Sequence, residues 1–510
     1  MTRARAGFWL VLGLALLSGC ASTNFDVEQT PSFAIPLSEN TSLGRYALNR
    51  KQSLGEDESV FFPLTGGSES LGARLRLIDA AEESIDLQYF LMKDDVVGAL
   101  ISARLLKAAD RGVRVRFLLD DIFTTVKDVD LFVLNGHENI EVRLSNPIAR
   151  RGFKYLNYAW NFSSANRRMH NKSLTVDGSH TIVGGRNLAA EYFSLNDDTE
   201  FFDLDVLAVG RIAGEVAADF DLYWNFPKAL GIEHLRGQPK HEELENARQV
   251  IDNAFSSQGA SIYRDAINSR LMQQLKNNEV EAYVARTELV SEDPKKLKQS
   301  VNDDSLRLIR VIGEFVTQAE SEVVIVTPYL IPTDSGMTFF ESILAQGIRL
   351  RFITNSLAST NHVPVHAAYQ KYRKGLLTMG AELYEARGDA FQVRDMEDGE
   401  LRRTTLHTKL LVIDRRYVFI GSLNLDPRSI VINTEMGLMI DSHALAEELL
   451  MDIEDGLDEE AYRLELDDHD RLLWHALERG EVVTYTREPG TSWWRRFSMN
   501  FFRVLPEGQL

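Results

Sequence analysis

The chain has 510 residues, 44% hydrophobic and 26% charged, which excludes a disordered or fibrous polypeptide and leaves room for about two to four domains. Its 56 Lys and Arg stand against 75 Asp and Glu, a net charge of -19. That is the wrong sign for a protein that lives on nucleic-acid phosphates, although a local basic cleft stays open. One cysteine, Cys20, rules out a disulfide framework, and a chain of this length can bury a core without one.

Residues 1–19 hold Arg3 and Arg5, then an apolar run from Phe8 to Leu17. The run is shorter than the ~20 residues that span a bilayer and has the layout of a secretory signal. Leu17-Ser18-Gly19-Cys20 resembles a bacterial lipobox, which makes Cys20 the expected site of lipid attachment. Cleavage before Cys20 removes two positive charges, so the mature net charge is 54 - 75 = -21. Ala21 after Cys20 resembles signals that direct a lipoprotein to the outer membrane, facing the periplasm. Residues 20–58, with Pro31 and Pro36, read as a polar tether.

The body repeats itself. In the first copy, Leu71–Ala80 precedes a predicted strand at Ser84–Phe90, a helix at Val96–Ala109, a break at Gly112 and a strand at Val113–Leu119. In the second, a helix at Ser305–Gln318 precedes a strand at Val323–Val326, a helix at Met337–Ala345, a break at Gly347 and a strand at Ile348–Ile353. Gly112 to Gly347 is a shift of 235, and His170 to His407 a shift of 237. Nearly equal offsets of this kind mark a duplication. The alternating pattern predicts two similar α/β domains, at 59–255 and 300–465, with a helical connection at 256–299 and an aromatic and basic tail at 466–510.

Each copy carries one constellation. The first runs Met169-His170-Asn171-Lys172 to Asp177 and on through Gly184-Gly185-Arg186-Asn187. The second runs Leu406-His407-Thr408-Lys409 to Asp414 and on through Gly421-Ser422-Leu423-Asn424. On a strand, His and Lys two apart share a face. Two lysines can neutralise a phosphodiester's nonbridging oxygens. Asn187 and Asn424 can donate to the same oxygens, with Ser422 and the Gly185 backbone adding more. One neutral imidazole can attack phosphorus, while the other gives and later takes a proton. No ligand cluster suggests a metal.

Both stretches resemble the signature of the phospholipase D superfamily, most of all its bacterial cardiolipin synthase C type. The resemblance covers most of the chain from about residue 60. It implies two pseudo-symmetric α/β/α domains around one shared active site, and no cofactor. Asp177 and Asp414 belong to the catalytic signature, where they mainly tie down the motif's own turn. The acid that orients each histidine is expected about 28 residues later. Glu435 fits, since 435 - 407 = 28; in the first half Asp205 is the leading candidate and Asp203 the alternative. The resemblance makes His170 the nucleophile and His407 the general acid. It implies transfer of a phosphatidyl group to phosphatidylglycerol, with phosphatidylethanolamine a further lipid partner. Hydrolysis to phosphatidic acid, a nuclease and an inactive lipid-binding scaffold are the competing readings.

Other features carry less. His362 and His366 have Pro364 between them and read as structural or substrate-loop residues, and Asp120-Asp121 as a strand end. Arg150–Arg168 and the tail, with Trp493, Trp494, Arg495, Arg496 and Phe497, mix rings and guanidinium groups. In an acidic, lipid-anchored chain that mixture reads as membrane contact.

Overall fold

The computed structural model describes residues 23–150, 165–196, 198–235, 238–253, 258–277, 279–280, 282–390 and 403–502. The signal and Cys20 lie outside them, as do residues 151–164 of the first aromatic and basic stretch.

The first half contains α1 (Ser42–Lys51), β1 (Glu58–Leu64), α2 (Gly67–Ala80), β2 (Ser84–Tyr89), α3 (Val96–Asp110), β3 (Arg114–Asp120), α4 (Asp128–Asn135), β4 (Ile140–Ser145), β5 (Ser173–Val176), β6 (His180–Gly184), β7 (Thr199–Phe202), β8 (Asp205–Gly210), α5 (Arg211–Trp224) and β9 (Ala229–Gly231). Next come α6 (His241–Asn253), α7 (Gln258–Ile267), α8 (Arg270–Asn277) and β10 (Tyr283–Ser291). The second half continues with α9 (Leu308–Val316), β11 (Glu322–Val326), α10 (Thr333–Leu344), β12 (Arg349–Asn355), α11 (Val363–Tyr369), α12 (Arg373–Thr378), β13 (Glu382–Ala386), β14 (Arg403–Leu406), β15 (Leu410–Ile413), β16 (Tyr417–Gly421), β17 (Met436–Asp441) and α13 (His443–Glu460). It closes with β18 (Ala461–Leu466), β19 (Leu472–Glu478), β20 (Glu481–Tyr485) and α14 (Trp493–Phe502).

Local chemistry explains the element ends. Asp95 caps α3 by accepting from the amides of Val97 and Gly98. Gly112 and Gly347 follow their helices at φ 92° and 82°, a left-handed backbone that glycine adopts without a Cβ clash. The parallel trio β2-β3-β4 is buried almost throughout, as a sheet covered on both faces must be. Asp86 and Arg116 are buried inside it as a cross-strand pair, with Nε 2.7 Å from Oδ1.

The pairings run β4-β3-β2-β5-β6-β8-β1 in one half and β13-β12-β11-β15-β16-β17-β10 in the other. The order and directions match strand for strand. β1 and β10 pair antiparallel and join the halves into one sheet. The sequence-based boundaries therefore shift. β10, expected within the connection, is the first strand of the second half, while α7 and α8 pack on α2 of the first. The expected tail contributes the β19-β20 hairpin, which extends the sheet beyond β18. The expected tether is docked from residue 23: Arg116 donates to Ser32 O and Arg143 to Thr30 O. Among the described residues no helix is long and apolar enough to cross a membrane.

Candidate active site

Each His-x-Lys lies in an extended segment just before a central strand, β5 or β15. Each segment is pinned to the opposite half. His170 N donates to Thr434 O at 2.9 Å, and Thr434 N donates to Arg168 O at 2.9 Å. The counterpart is β14, which pairs in parallel with β7 and leads to His407 N donating to Phe202 O at 2.7 Å. The residue after Thr434 is Glu435, and the residue after Phe202 is Asp203. The acids therefore act crosswise: His170 Nδ1 lies 2.8 Å from Glu435 Oε2, and His407 Nδ1 lies 2.5 Å from Asp203 Oδ2. Neither half holds a complete histidine–acid pair alone.

Both histidines line one cavity of about 600 Å³, together with Asn187, Asn424 and Arg428. Aromatic rings fix the imidazoles. Phe90 meets His170 edge-on at 4.7 Å; Phe201 stacks on His407 at 5.4 Å and Tyr192 meets it edge-on at 5.1 Å. The lysines are buried behind the histidines. Lys172 Nζ donates to His170 O at 2.5 Å, and Lys409 Nζ lies 2.8 Å from His407 Nδ1. Asn187 Nδ2 donates to Tyr192 Oη at 3.0 Å, and Asn424 Nδ2 reaches Ser429 Oγ at 3.3 Å.

The structure corrects several sequence-based assignments. Asp205 touches neither histidine. Its carboxylate accepts from Ser70 at 2.7 Å, Arg74 at 2.9 Å and Arg186 at 3.3 Å. Strand register explains the substitution by Asp203. Gly184 faces Asp205 and Gly421 faces Gly437, so the residues two earlier, Asp203 and Glu435, are equivalent. The first-half interval is 203 - 170 = 33 residues against 28 in the second, which hid the match. Glu435 holds the imidazole of the other half, His170, and not that of its own motif. Asp177 and Asp414 do not line the cavity. Asp177 accepts from the amides of Glu82, Glu83 and Ser84, and Asp414 from those of Glu320, Ser321 and Glu322, so each fixes its motif turn to the start of β2 or β11.

Gly185 and Ser422 also serve differently from expectation. Gly185 N donates to Leu204 O at 3.1 Å, and a Cβ there would fall 2.1 Å from Asp203 Oδ1; glycine makes room for the acid. Ser422 Oγ donates to Glu435 Oε2. Asp120 accepts from Met169 N at 3.0 Å and from Arg168, holding the His170 segment. His362 is a wall residue of the cavity, whereas His366 is buried with its Nε2 against Arg373 at 2.7 Å. Sequence reasoning missed Phe90, Tyr192, Phe201, Tyr329 and Arg428 as wall residues. Position beyond the carboxyl end of β2, where sites of α/β sheets gather, was the available signal for Phe90.

A family model described as "Cardiolipin synthase, PLD-like domain" matches residues 75–224 and 312–455, one copy per half. Cardiolipin synthase C of Escherichia coli K12 is 36% identical over 460 residues, covering 87% of this chain and 94% of the relative. The chain belongs to the cardiolipin synthase-like branch of the phospholipase D superfamily. An uncharacterized Helicobacter pylori protein is 31% identical over 515 residues, covering 99% of both chains. Among solved structures, phosphatidylserine synthase of Haemophilus influenzae Rd KW20 shares the fold, with a TM-score of 0.54 and 13% identity over 82% of this chain and 92% of that one.

Burial dominates the electrostatics of this phospholipase D site. Burial, with Lys172, Lys409 and Arg428 adding repulsion, holds His170 well below the ordinary imidazole range. Burial and Lys409 bring His407 down to about 3 against the opposing pull of Asp203. Desolvation lowers Lys172 to about 7 although Glu435 pulls it upward, and lowers Lys409 to about 8. Burial raises Glu435 to about 7 in spite of Lys172. These histidines and lysines are held out of water, and an anion placed among them favours their protonated, cationic forms.

Proposed function

We propose that this chain is a phosphatidyltransferase of cardiolipin synthase type, which moves a phosphatidyl group between glycerophospholipids through a phosphohistidine. The carrying observation is the crossed pair of histidine–acid contacts opening onto one cavity. In the first step, His170 Nε2 attacks phosphorus, the P–O bond to the first alcohol breaks, and His407 gives its Nε2 proton to the leaving oxygen. In the second, the primary hydroxyl of phosphatidylglycerol attacks phosphorus, its proton passes to His407, and the P–N bond to His170 breaks. Lys172 and Lys409 offset charge on the nonbridging oxygens, with Asn187 and Asn424 donating to them.

The roles are assigned from the balance of fields: Asp203 draws a proton onto His407 against Lys409 and Lys172, whereas Lys172, Lys409 and Arg428 oppose one on His170. Transfer is favoured over hydrolysis by the aromatic walls, since Phe90, Phe123, Tyr192, Phe201 and Tyr329 suit a lipid alcohol better than water.

Membrane contact is assigned to α14. Trp493, Trp494, Phe497 and Phe501 are 59%, 71%, 55% and 69% exposed. Met499 and Phe502 pack the other side beside Leu357, Val363 and Ala367, and α11 also carries the wall residues Pro364 and Val365. The ring face of α14 thus suits the interfacial zone of a bilayer near the cavity. Arg495 and Arg496 instead bond backbone carbonyls of Leu357, Thr360 and Thr491. A lipid on Cys20 would tether the chain to the periplasmic face of the outer membrane.

The test offers purified protein mixed phosphatidylglycerol and phosphatidylethanolamine with chelator present and reads products by mass spectrometry. Cardiolipin is the expected product. Phosphatidic acid alone would replace transfer by hydrolysis.

A further inference from the structure

The two halves differ at one place where their symmetry makes the difference informative. The aspartate–amide contacts align Glu82 with Glu320, a shift of 238, and so align Arg74, Leu75 and Tyr89 with Ile312, Gly313 and Thr327. The motif shift of 237 aligns Arg186 with Leu423, and strand register aligns Asp205 with Gly437. In the first half this region is filled. Arg74 and Arg186 converge on Asp205, Arg74 Nε donates to Tyr89 Oη at 3.0 Å, and Leu75 is buried between helix and sheet. In the second half each of those groups is replaced by an apolar or smaller one.

The result is a cavity of about 360 Å³ between α9, α10 and the sheet, walled by Ile312, Gly313, Phe339, Phe340 and Leu423, with Lys409 at the catalytic side. Nothing lies within 4 Å of where a Gly313 Cβ would point. One loop separates this cavity from the reaction cavity. Asn424, Asp426, Arg428 and Ser429 face the reaction cavity, whereas Leu423, Leu425, Pro427, Ile430 and Val431 face the apolar one. An apolar cavity of about 150 Å³ lined by aliphatic and aromatic side chains stays dry and takes up hydrocarbon.

We infer that this second-half cavity receives a fatty-acyl chain of the glycerophospholipid whose phosphate lies between His170 and His407. The inference rests on the proposed phosphatidyl transfer and adds to it an acyl subsite. A recessed hydrocarbon pocket with a cation at its inner wall matches a molecule that joins an acyl chain to a phosphate. A peptide would leave its backbone groups unpaired there. Such a subsite makes turnover depend on chain length, because each methylene moved from water is worth about 0.8 kcal/mol, roughly fourfold in affinity.

Gly313→Leu restores the side chain that the first half has at Leu75, and it enters open space on a helix. The experiment compares kcat/KM for dihexanoyl and dipalmitoyl phosphatidylglycerol in detergent micelles. The long-to-short ratio is expected to fall at least about tenfold in Gly313→Leu, the loss of roughly two buried methylenes. In parallel, wild-type protein is irradiated with phosphatidylglycerol carrying a diazirine at the acyl terminus, and labelled peptides are mapped. Label in α9 or α10 is expected. An unchanged ratio in folded Gly313→Leu, or label absent from both helices, overturns the acyl subsite, and the label decides alone if the variant does not fold. Absence of cardiolipin from the wild-type reaction at either length overturns the proposed transfer instead, so the two failures are distinct.

Discussion

Asp203 and Asp205 are two residues apart, both buried, and the structure gives them opposite duties. Asp203→Asn keeps the side-chain volume and the contact in which Oδ1 accepts from Leu204 N at 2.9 Å. It replaces the oxygen that lies 2.5 Å from His407 Nδ1. An amide NH₂ there donates, so Nδ1 loses its acceptor and the imidazole turns to the tautomer that cannot serve its step. Where a carboxylate orients a catalytic imidazole, its amide replacement lowers kcat by up to about 10⁴-fold, ~5.5 kcal/mol of barrier. Asp203→Asn is therefore expected to lower kcat by about 10² to 10⁴, with KM and melting temperature near wild type. Asp205→Asn should do the reverse. It strips Arg74 and Arg186 of their buried counter-charge, which costs about 3–5 kcal/mol of stability, while kcat per folded molecule stays within about tenfold of wild type, the loss of one barrier unit of ~1.4 kcal/mol. Steady-state turnover on mixed vesicles and thermal melts of both variants decide it. Near-normal kcat in Asp203→Asn, or a larger kcat loss in Asp205→Asn with an unchanged melt, would refute the crossed-acid arrangement.

Further outcomes follow from the same geometry. His170→Ala and His407→Ala should each abolish turnover, and near-normal product from either would break the shared site. Gly185→Ala forces a methyl to 2.1 Å from Asp203 Oδ1, so activity should fall at least about tenfold, ~1.4 kcal/mol of barrier, in a protein that still melts cooperatively. Lys172 and Lys409, lowered by burial to about 7 and 8, are cationic below those values and neutral above them. Hence kcat/KM, which reports the free enzyme, should decline as pH rises past about 7 and more steeply past about 8, whereas kcat, measured with phosphate holding the protons, should be flatter. A level kcat/KM up to the ordinary lysine range would count against this. Replacing Trp493, Trp494 and Phe497 by Ala should lower vesicle co-sedimentation at least about tenfold, since each ring contributes over 1 kcal/mol when it leaves water; unchanged sedimentation would detach α14 from the membrane.

Much of this was legible in the sequence because duplication writes itself twice. The nearly equal offsets of Gly112 with Gly347 and His170 with His407 marked the two halves, and apolar periodicity placed β2, α3, β3 and their counterparts within a few residues. The motif lysines and asparagines are local in sequence and were found there. What escaped depended on non-local pairing. Counting residues from each histidine assumes that its acid lies on the same half, but the parallel contacts of Met169 with Thr434 and of β14 with β7 hand each acid to the other half. A loop five residues longer between His170 and Asp203 then shifted the count. The β10 boundary was hidden for a related reason, because a strand that pairs β1 on one side and β17 on the other follows helices belonging to the first half.

The crossed acids give the duplication its physical meaning. A single half could present a histidine and a lysine to a phosphate, but its imidazole would lack the carboxylate that orients it. Joining two copies through β1 and β10 completes both imidazoles at once and places them on one cavity. The same duplication then leaves each half free to differ away from the motifs. The first half fills its helix–sheet gap with Arg74, Asp205 and Arg186, whose mutual attraction outweighs the burial that would otherwise raise Asp205, and the carboxyl lies below its usual range. The second half leaves that gap open to hydrocarbon. One half is thereby braced and the other hollow, and a symmetric catalytic centre is set within asymmetric surroundings.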